Sequence, residues 1–189
     1  MIEKKPVFHN RKNESISIDG KTLWISRSVA CVGLVMTKWN GDWYLLFSKR
    51  GTGAADYQGY WCLPCGYLDY DETLTECVIR EIYEESGLFL LDVPTSDIIE
   101  DLTQSPYRVQ SDPTSNRQNV SHYFAFLFES KWSLPVLTTE NAEPNEVEIS
   151  KWVKLSELGG YSKVAFNHME RINEFLRDFK KITNGKSIL

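Results

Sequence analysis

Hydrophobic and polar residues follow two different periods along this chain, and each period predicts a different kind of element. Where a short run is apolar on both faces, or alternates residue by residue, the pattern predicts a β-strand. Runs of this kind are bounded by turn residues and charged residues throughout the first four fifths of the chain. They lie at 29–37, 43–48, 88–93, 98–103, 120–129 and 146–153.

Two other segments carry apolar residues at helical spacing. The first runs from about Leu74 to Ser86, with Thr73 and Glu76 at the spacing of a capping box before it. Gly87 is placed to end this helix in the left-handed conformation. The second is an amphipathic helix over 162–182, whose aromatic stripe predicts a core or dimer contact.

The remaining segments are predicted as turns, loops and one small N-terminal unit. Residues 1–28 read as a hairpin or as an arm that packs on a partner chain, and Asn40-Gly41 is a strong hairpin turn. The polar segments 104–119 and 133–145 are predicted loops, and the first is favoured as a substrate loop. A short helix begins at 155–158. Strands mixed with helices indicate an α/β or α+β fold in one domain, 1–189.

Composition and charge narrow the class of protein. The chain has 189 residues, 42% hydrophobic and 25% charged, which is ordinary for a soluble globular domain. A net charge of −5 argues against a surface that coats nucleic acid. The polar start lacks the apolar core of a signal peptide, and the longest apolar run, around 29–36, is too short to span a membrane.

Cysteine usage indicates a reducing compartment, and we therefore expect a cytoplasmic protein. The four cysteines, at positions 31, 62, 65 and 77, are too sparse for a disulfide scaffold. Cys62 and Cys65 form a CxxC motif, for which a zinc or redox role is an alternative. Because no second CxxC and no histidine pair accompany it, we interpret the motif as structural.

The first helix has carboxylates on the side where a core is expected. Glu81 and Glu85 project into its apolar sector, and Glu84 lies at the edge. Buried charges survive by pairing or by holding a metal. The i, i+3, i+4 spacing lets the three carboxylates converge, and Mg²⁺ or Mn²⁺ suits such oxygen ligands. The alternative is a surface helix with a solvated acidic face.

Residues 66–88 resemble the Nudix box of the Nudix hydrolase family. The family pattern is Gly, five residues, Glu, seven residues, Arg-Glu, an aliphatic residue, any residue, Glu-Glu, any residue, Gly and an aliphatic residue. Its defined positions are filled by Gly66, Glu72, Arg80, Glu81, Ile82, Glu84, Glu85, Gly87 and Leu88. The preceding 61–64 segment is also similar, but Cys65-Gly66 stands where the family commonly has Gly-Gly.

The resemblance implies a fold and a reaction. The fold is α/β, a Nudix-type α/β/α sandwich with a mixed β-sheet, the box loop and helix on one side and the C-terminal helix on the other. The reaction is metal-dependent hydrolysis, by water attack at phosphorus, of the diphosphate in a nucleoside diphosphate linked to another moiety. ADP-ribose, dinucleotides such as NADH, oxidised nucleotides and nucleotide sugars remain open as substrates.

The resemblance also implies roles for the acidic residues. Glu81, Glu84 and Glu85 would hold Mg²⁺ (or Mn²⁺), and one of them, or a further glutamate, would be the general base. Glu143, Glu146 and Glu148 are available for that further position, and Glu146 fits best by its distance from Trp152. The base is left open between Glu146 and the three box glutamates.

Arg80 and Glu72 would form an ion pair that braces the box loop against the helix. Arg80 could instead be an ordinary surface arginine that pairs with Glu76 or Glu84. Candidate substrate contacts lie before and after the box. They are Arg50, Tyr57, Trp61 and Arg117, and the alternative is core packing for the two aromatic residues and a surface role for the two arginines. Arg108, Gln118 and Asn119 are further candidates for phosphate or base contacts, with a solvated surface position as the alternative.

We expect the partner to be a small molecule, a nucleoside diphosphate derivative, and neither a nucleic acid nor a membrane. Whether the protein forms a homodimer is left open. Two other functions remain as alternatives. One is a non-catalytic sensor of nucleotide derivatives. The other is an isoprenoid diphosphate isomerase, whose family normally breaks the box pattern and needs a catalytic cysteine, whereas the box is intact here.

Overall fold

The computed structural model describes residues 14–25, 29–111 and 119–182. Its elements follow one another as strands interrupted by two helices. They are β1 (Glu14–Ile18), β2 (Lys21–Ile25), β3 (Val29–Trp39), β4 (Asp42–Arg50), β5 (Trp61–Cys62), β6 (Cys65–Tyr67), α1 (Leu74–Ser86), β7 (Ile98–Asp101), β8 (Arg108–Ser111), β9 (Val120–Glu129), β10 (Val147–Lys154) and α2 (His168–Ile182). Short 3₁₀ turns occupy Leu90–Asp92, Thr95–Asp97 and Leu155–Gly160.

One mixed sheet organises the described part of the chain. Its central order is β10-β4-β3-β9-β7, and β5, β6 and β8 pair with β4, β3 and β9 respectively. The long central strands β3 and β9 run parallel, from Val29 beside Val120 to Lys38 beside Glu129. The other pairs are antiparallel. Strands β1 and β2 form a hairpin that makes a separate two-stranded sheet, and this agrees with the hairpin predicted in the N-terminal segment.

The two helices lie on opposite faces of this sheet, which confirms the three-layer prediction. Alternate residues of a strand point to opposite faces. On β3, Leu34 packs into the cluster that contains Phe175 of α2. The next residue, Val35, packs into the cluster that contains Val78 and Ile82 of α1.

The close approach of α1 to the sheet depends on a glycine in β3. A Cβ built on Gly33 would lie 2.6 Å from Ile82 Cδ1 and 3.2 Å from Val78 Cγ2. Any larger residue would therefore push the helix away from the sheet. Because α1 carries the three glutamates of interest, this contact also sets their depth in the molecule.

Both ends of α1 form as predicted. The Thr73 hydroxyl accepts a hydrogen bond from the Glu76 N–H at 3.2 Å, and the Glu76 carboxylate accepts one from the Thr73 N–H at 2.8 Å. This is a complete capping box. At the other end, Gly87 has a φ of 71° and donates its N–H to the Tyr83 carbonyl at 2.8 Å.

Three predicted elements are wrong or displaced. The 88–93 run is not a strand but a 3₁₀ turn at Leu90–Asp92, because its apolar residues pack against α1 instead of entering the sheet. The predicted 104–119 loop contains β8. The C-terminal helix begins at His168 rather than 162, since Phe166 and Asn167 have φ of 57° and 62° and cannot be helical. No helix in the described ranges is long and apolar enough to cross a membrane.

Candidate active site

The three glutamates predicted to converge are buried. Glu81, Glu84 and Glu85 are 9%, 5% and 4% exposed, on the side of α1 that faces the sheet and β6. This excludes the alternative of a solvated acidic face. Three carboxylates so far from water require compensation by cations, hydrogen bonds or protons.

Arg80 supplies part of that compensation. Its Nε and Nη2 donate to the two carboxylate oxygens of Glu72 at 2.9 and 2.7 Å, which is the predicted ion pair in bidentate form. Its Nη1 donates to Glu81 Oε1 and to Glu84 Oε2, both at 2.7 Å. The alternative pairing of Arg80 with Glu84 therefore exists alongside the ion pair with Glu72, while the guanidinium is buried and not a surface group.

The same arginine braces the box loop. Nη2 of Arg80 donates to the Tyr67 carbonyl at 3.0 Å, and Glu72 Oε1 accepts from the Asp69 N–H at 2.7 Å. The loop between β6 and α1 is thus tied to the helix at two points. A bidentate arginine–carboxylate pair fixes direction as well as distance, so the loop has little freedom relative to the glutamates.

Glu85 reaches across to the sheet. Its Oε1 accepts a hydrogen bond from the Cys65 N–H at 3.2 Å. Its Oε2 is buried and, within the described residues, has no hydrogen-bond partner. The backbone is held from β10, where the Ser150 hydroxyl donates to the Glu85 carbonyl at 2.6 Å and contacts the Ser48 hydroxyl at 2.7 Å.

The box glycine leaves room for Glu81. A Cβ on Gly66 would lie 2.1 and 2.4 Å from the two carboxylate oxygens of Glu81. Only glycine allows the carboxylate to lie directly against the backbone of β6. The first residue of the box is therefore required by space at this position.

Burial and mutual repulsion raise the pKa of the carboxyl groups. Burial raises the pKa of Glu81 to about 8, with a lowering effect from Arg80 and further raising effects from Glu84 and Glu146. Burial also raises the pKa of Glu85 well above its ordinary value, with added repulsion from Glu146 and Glu81. A cluster of this kind gains most from a bound cation, which removes both the repulsion and the need for protons.

Glu146 joins this cluster from another part of the chain. It lies just before β10, and the Gly51 N–H donates to its carbonyl at 2.7 Å. Burial raises its pKa, with repulsion from Glu143 and a lowering effect from Arg50. Glu148, another candidate for this position, instead forms an exposed ion pair with Lys49 at 2.8 Å.

The residues present fit a divalent cation by donor type. The four carboxylates of Glu81, Glu84, Glu85 and Glu146 are hard oxygen donors, and the unpartnered Glu85 Oε2 is available to a ligand. In residues 14–25, 29–111 and 119–182, no three acidic, histidine or cysteine side chains are already arranged as metal ligands. Two of the carboxylates, those of Glu81 and Glu84, are paired with Nη1 of Arg80 at 2.7 Å.

Two predicted substrate residues before the box, Arg50 and Tyr57, are engaged in contacts within the chain, and Arg50 is close enough to Glu146 to lower the pKa of that carboxyl group. Arg50 ends β4, donates to the Asp56 carbonyl at 2.9 Å and stacks over the Phe166 ring at 4.9 Å. Tyr57 is half exposed and contacts the Tyr60 and Phe166 rings. Both remain candidate substrate contacts.

Trp61 and Arg117 differ from this group. The Trp61 ring stacks on Phe47 at 5.7 Å, with Lys151 Nζ over it at 4.6 Å, so the contacts favour the packing alternative. Arg117 and Gln118 lie outside the described residues. Asn119 accepts a hydrogen bond from the Tyr67 hydroxyl at 3.1 Å.

Two buried polar residues of α2 were missed by the sequence analysis. His168 Nδ1 accepts a hydrogen bond from the Leu63 N–H at 3.0 Å, so the neutral imidazole holds the segment that leads into β6. Arg171 is 4% exposed and pairs with Glu170 and Glu174. The i, i+3 spacing of Arg171 and Glu174 was a visible signal, but it is also what an exposed helix face shows.

Comparisons with known proteins point to one family. The ADP-ribose pyrophosphatase of Methanocaldococcus jannaschii is 26% identical over 155 residues, which cover 82% of this chain and 76% of that protein. The m7GpppN-mRNA hydrolase NUDT17 of Danio rerio is 25% identical over 148 residues, 78% of this chain but only 48% of that protein. The chain thus spans about half the length of the second relative.

Solved structures show the same fold. The bifunctional NMN adenylyltransferase/ADP ribose pyrophosphatase from Francisella tularensis matches with a TM-score of 0.60 at 24% identity, over 79% of this chain and 40% of that one. The NUDIX domain of Shewanella oneidensis NrtR, complexed with ADP ribose, matches with a TM-score of 0.57 at 18% identity, over 82% and 89%. The family model for the NUDIX domain matches residues 26–179. That match covers most of the chain, including the box, the β-sheet and Glu146. The chain therefore belongs to the NUDIX domain family.

Proposed function

We propose that this protein is a hydrolase that cleaves the diphosphate of a nucleoside diphosphate linked to another moiety. The observation that carries the proposal is the burial of Glu81, Glu84 and Glu85 together, beside Glu146, with one carboxylate oxygen left unpartnered. A diphosphate repels an attacking water by its clustered negative charge, so a site for it needs a local cation. Without such a cation, buried carboxylates in an acidic protein would repel a diphosphate.

Glu81, Glu84 and Glu85 would hold Mg²⁺ or Mn²⁺. When bound, the ion neutralises phosphate oxygens and lowers the pKa of a water molecule. The chain itself fixes the carboxylates: Arg80 orients Glu81 and Glu84, and the Cys65 N–H orients Glu85.

A carboxylate with a raised pKa is suited to accept the proton of the attacking water near neutral pH. Glu146 has this property and lies outside the hydrogen bonds of Arg80. We assign the general base to Glu146, with the box glutamates as the alternatives that the test below separates.

The names of the relatives support a nucleotide derivative as the class of substrate. One curated relative is named for ADP-ribose and another for m7GpppN-mRNA. A second Francisella tularensis structure of the bifunctional enzyme is complexed with AMP and a Mn ion. These names support a nucleoside diphosphate derivative as the substrate and a divalent ion as the cofactor.

The test is a hydrolysis screen of the purified protein with Mg²⁺ or Mn²⁺ over ADP-ribose, dinucleotides, capped dinucleotides and nucleotide sugars. Glu84→Gln and Glu85→Gln should each abolish turnover while the melting temperature shows a folded protein. Glu157→Gln, an exposed glutamate far along the chain, is the matched control and should retain full activity. Glu146→Gln should lower kcat and leave Mn²⁺ binding by calorimetry within a few-fold if Glu146 is the base.

Full activity in both Glu84→Gln and Glu85→Gln would reject the site. Tight ADP-ribose binding without turnover in Mg²⁺ would instead identify a sensor of nucleotide derivatives.

A further inference from the structure

Arg50 is a second arginine close to the carboxylates, in addition to Arg80. It is the last residue of β4, and in the ladder with β10 it stands opposite Val147, the residue after Glu146. The Gly51 N–H donates to the Glu146 carbonyl at 2.7 Å, so the segments that carry Arg50 and Glu146 are bonded to each other. The side chain of Arg50 is only 12% exposed, and its charge therefore acts within the site.

Arg50 also shares a face of the sheet with the support of Glu85. Alternate residues of a strand point to the same face, so Arg50 and Ser48 lie on one side of β4. The Ser48 hydroxyl contacts the Ser150 hydroxyl at 2.7 Å, and the latter donates to the Glu85 carbonyl at 2.6 Å. Burial by itself would lower the pKa of Arg50, but neighbouring acidic groups, Glu85 among them, raise this pKa overall.

The first arginine leaves one carboxylate of the box without an arginine partner. Arg80 Nη1 donates to Glu81 and to Glu84, both at 2.7 Å. Glu85 accepts the Cys65 N–H with Oε1, and its Oε2 has no hydrogen-bond partner within the described ranges. A second guanidinium on Glu85 would occupy that remaining carboxylate, and a cation would then have to displace an arginine from every box glutamate.

Asp56 holds the Arg50 guanidinium in another pairing. Arg50 Nε donates to the Asp56 carbonyl at 2.9 Å, and Nη2 donates to Asp56 Oδ1 at 3.1 Å. The Asp56 side chain is 28% exposed, so this ion pair is partly buried. Because one residue accepts from two nitrogens, it fixes the direction of the guanidinium plane as well as its distance.

An aromatic contact restricts the same guanidinium. The Phe166 ring centroid lies 4.9 Å from Arg50 Cζ, within the range of a cation–π contact. Phe166 and Asn167 have φ of 57° and 62°, left-handed values that residues with a Cβ rarely adopt. This turn directly before α2 brings the ring to Arg50, which is thus held by two hydrogen bonds and one ring.

We propose that Asp56 is a positioning residue that keeps Arg50 from forming an ion pair with Glu85 and Glu146. It thereby leaves Glu85 available to a divalent cation and Glu146 available to the attacking water. The inference rests on the proposed function for the roles of these two glutamates. Without Asp56, the largely buried guanidinium would need other acceptors, because a buried charged donor without a partner is costly.

The test measures Mn²⁺ binding to the purified protein by calorimetry, without substrate. Asp56→Ala should weaken Mn²⁺ binding by about 10- to 100-fold, because the new pairs of Arg50 have to break before the cation binds. Asp56→Asn loses the charge but keeps Oδ1 as an acceptor. It should stay within about fivefold of the wild type, the effect of one partly exposed charge.

Removal of Arg50 distinguishes positioning from a structural role of Asp56. In the Arg50→Gln background no guanidinium can compete for the glutamates, so Asp56→Ala should weaken Mn²⁺ binding by less than about fivefold. The same factor in both backgrounds would overturn the inference. Asp92→Ala is the matched control, since it removes one negative charge from an exposed position on the Leu90–Asp92 turn, and it should bind Mn²⁺ like the wild type.

Thermal melting of each variant checks the fold. If Asp56→Ala is unstable, Phe166→Leu takes its place, because it removes the ring contact of Arg50 and leaves both hydrogen bonds of Asp56. It should weaken Mn²⁺ binding by about 3- to 10-fold, and the loss should again disappear with Arg50→Gln. An unchanged affinity for Mn²⁺ in that variant would overturn the inference.

The binding measurement separates this inference from the proposed function. If no substrate is hydrolysed, but Asp56→Ala weakens Mn²⁺ binding and Arg50→Gln restores it, the proposed function fails and the effect of Asp56 on the cation stands. If a substrate is hydrolysed and Asp56→Ala binds Mn²⁺ as tightly as the wild type, the role of Asp56 is refuted and the proposed function stands. A wild-type protein that binds no Mn²⁺ would overturn the inference.

Discussion

Gly66→Ala tests whether the first residue of the box is glycine for reasons of space. The new Cβ would lie 2.1 Å from Glu81 Oε1, 2.3 Å from its Cδ and 2.4 Å from its Oε2. To restore ordinary van der Waals contact, the carboxylate has to withdraw by about 1 Å. It is held at its present position by Arg80 Nη1 at 2.7 Å, so a shift of this size weakens or breaks that bond.

The expected cost has two parts. Overpacking of a buried position costs about 1–3 kcal/mol of unfolding free energy. Misplacement of a catalytic group by about 1 Å lowers the rate by roughly 100-fold. Gly66→Ala should therefore fold, with a reduced free energy of unfolding in urea, and lose about two orders of magnitude in kcat.

A double-mutant cycle isolates the contact. Glu81→Ala removes the atoms that the new methyl group would meet, so Gly66→Ala should cost less than about 0.5 kcal/mol in that background. Gly159→Ala is the control, because a Cβ there meets nothing within 4 Å. If Gly66→Ala costs the same in both backgrounds, or retains wild-type kcat, the reasoning from space is wrong.

Three further predictions concern the supports of the site. Burial lowers the pKa of His168 to about 3, so the unfolded chain takes up a proton near pH 6.5 that the folded chain refuses. Between pH 6.5 and pH 3 the unfolding free energy of the wild type should therefore fall by up to roughly 5 kcal/mol more than that of His168→Gln. The same pH dependence of the unfolding free energy in both proteins, measured by urea unfolding, would refute this. Thr73→Ala removes the capping box of α1 and should cost about 1 kcal/mol by thermal unfolding, and a neutral result would show that the cap contributes nothing. Gly33→Ala should cost about 1–3 kcal/mol, because its Cβ would lie 2.6 Å from Ile82 Cδ1, and Ile82→Ala should relieve most of that cost if the contact is responsible.

Local signals made the site's central helix predictable. The capping box, the apolar sector and the closing glycine all lie within the helix or one residue from it, so their geometry is encoded by neighbours in the chain. The i, i+3, i+4 spacing of the glutamates determines their convergence once the helix forms. The ion pair of Arg80 with Glu72 was accessible only through the resemblance, since Glu72 lies outside the helix and eight positions before Arg80.

Elements decided by distant contacts were not predictable in the same way. The 88–93 run has the composition of a strand, and only its packing against α1 makes Leu90–Asp92 a 3₁₀ turn. The start of α2 depends on Phe166 and Asn167, two residues other than glycine that adopt positive φ. The ion pair between Arg108 and Glu174 joins β8 to α2 at 3.0 Å, and nothing local to either segment signals that these two residues meet.

The hydrogen-bonded pairing of β10 with β4 has a consequence for folding. Ser150 stands opposite Ser48 across a chain separation of 102 residues, and Ser150 also holds the Glu85 carbonyl. Pairings this distant in the chain form late, because loop closure has to precede them. Glu146 enters the carboxylate cluster through the same strand, so a refolding chain can complete α1 and its caps and still be inert. Recovery of turnover should then coincide with the slowest refolding phase, after the helical circular dichroism signal has returned.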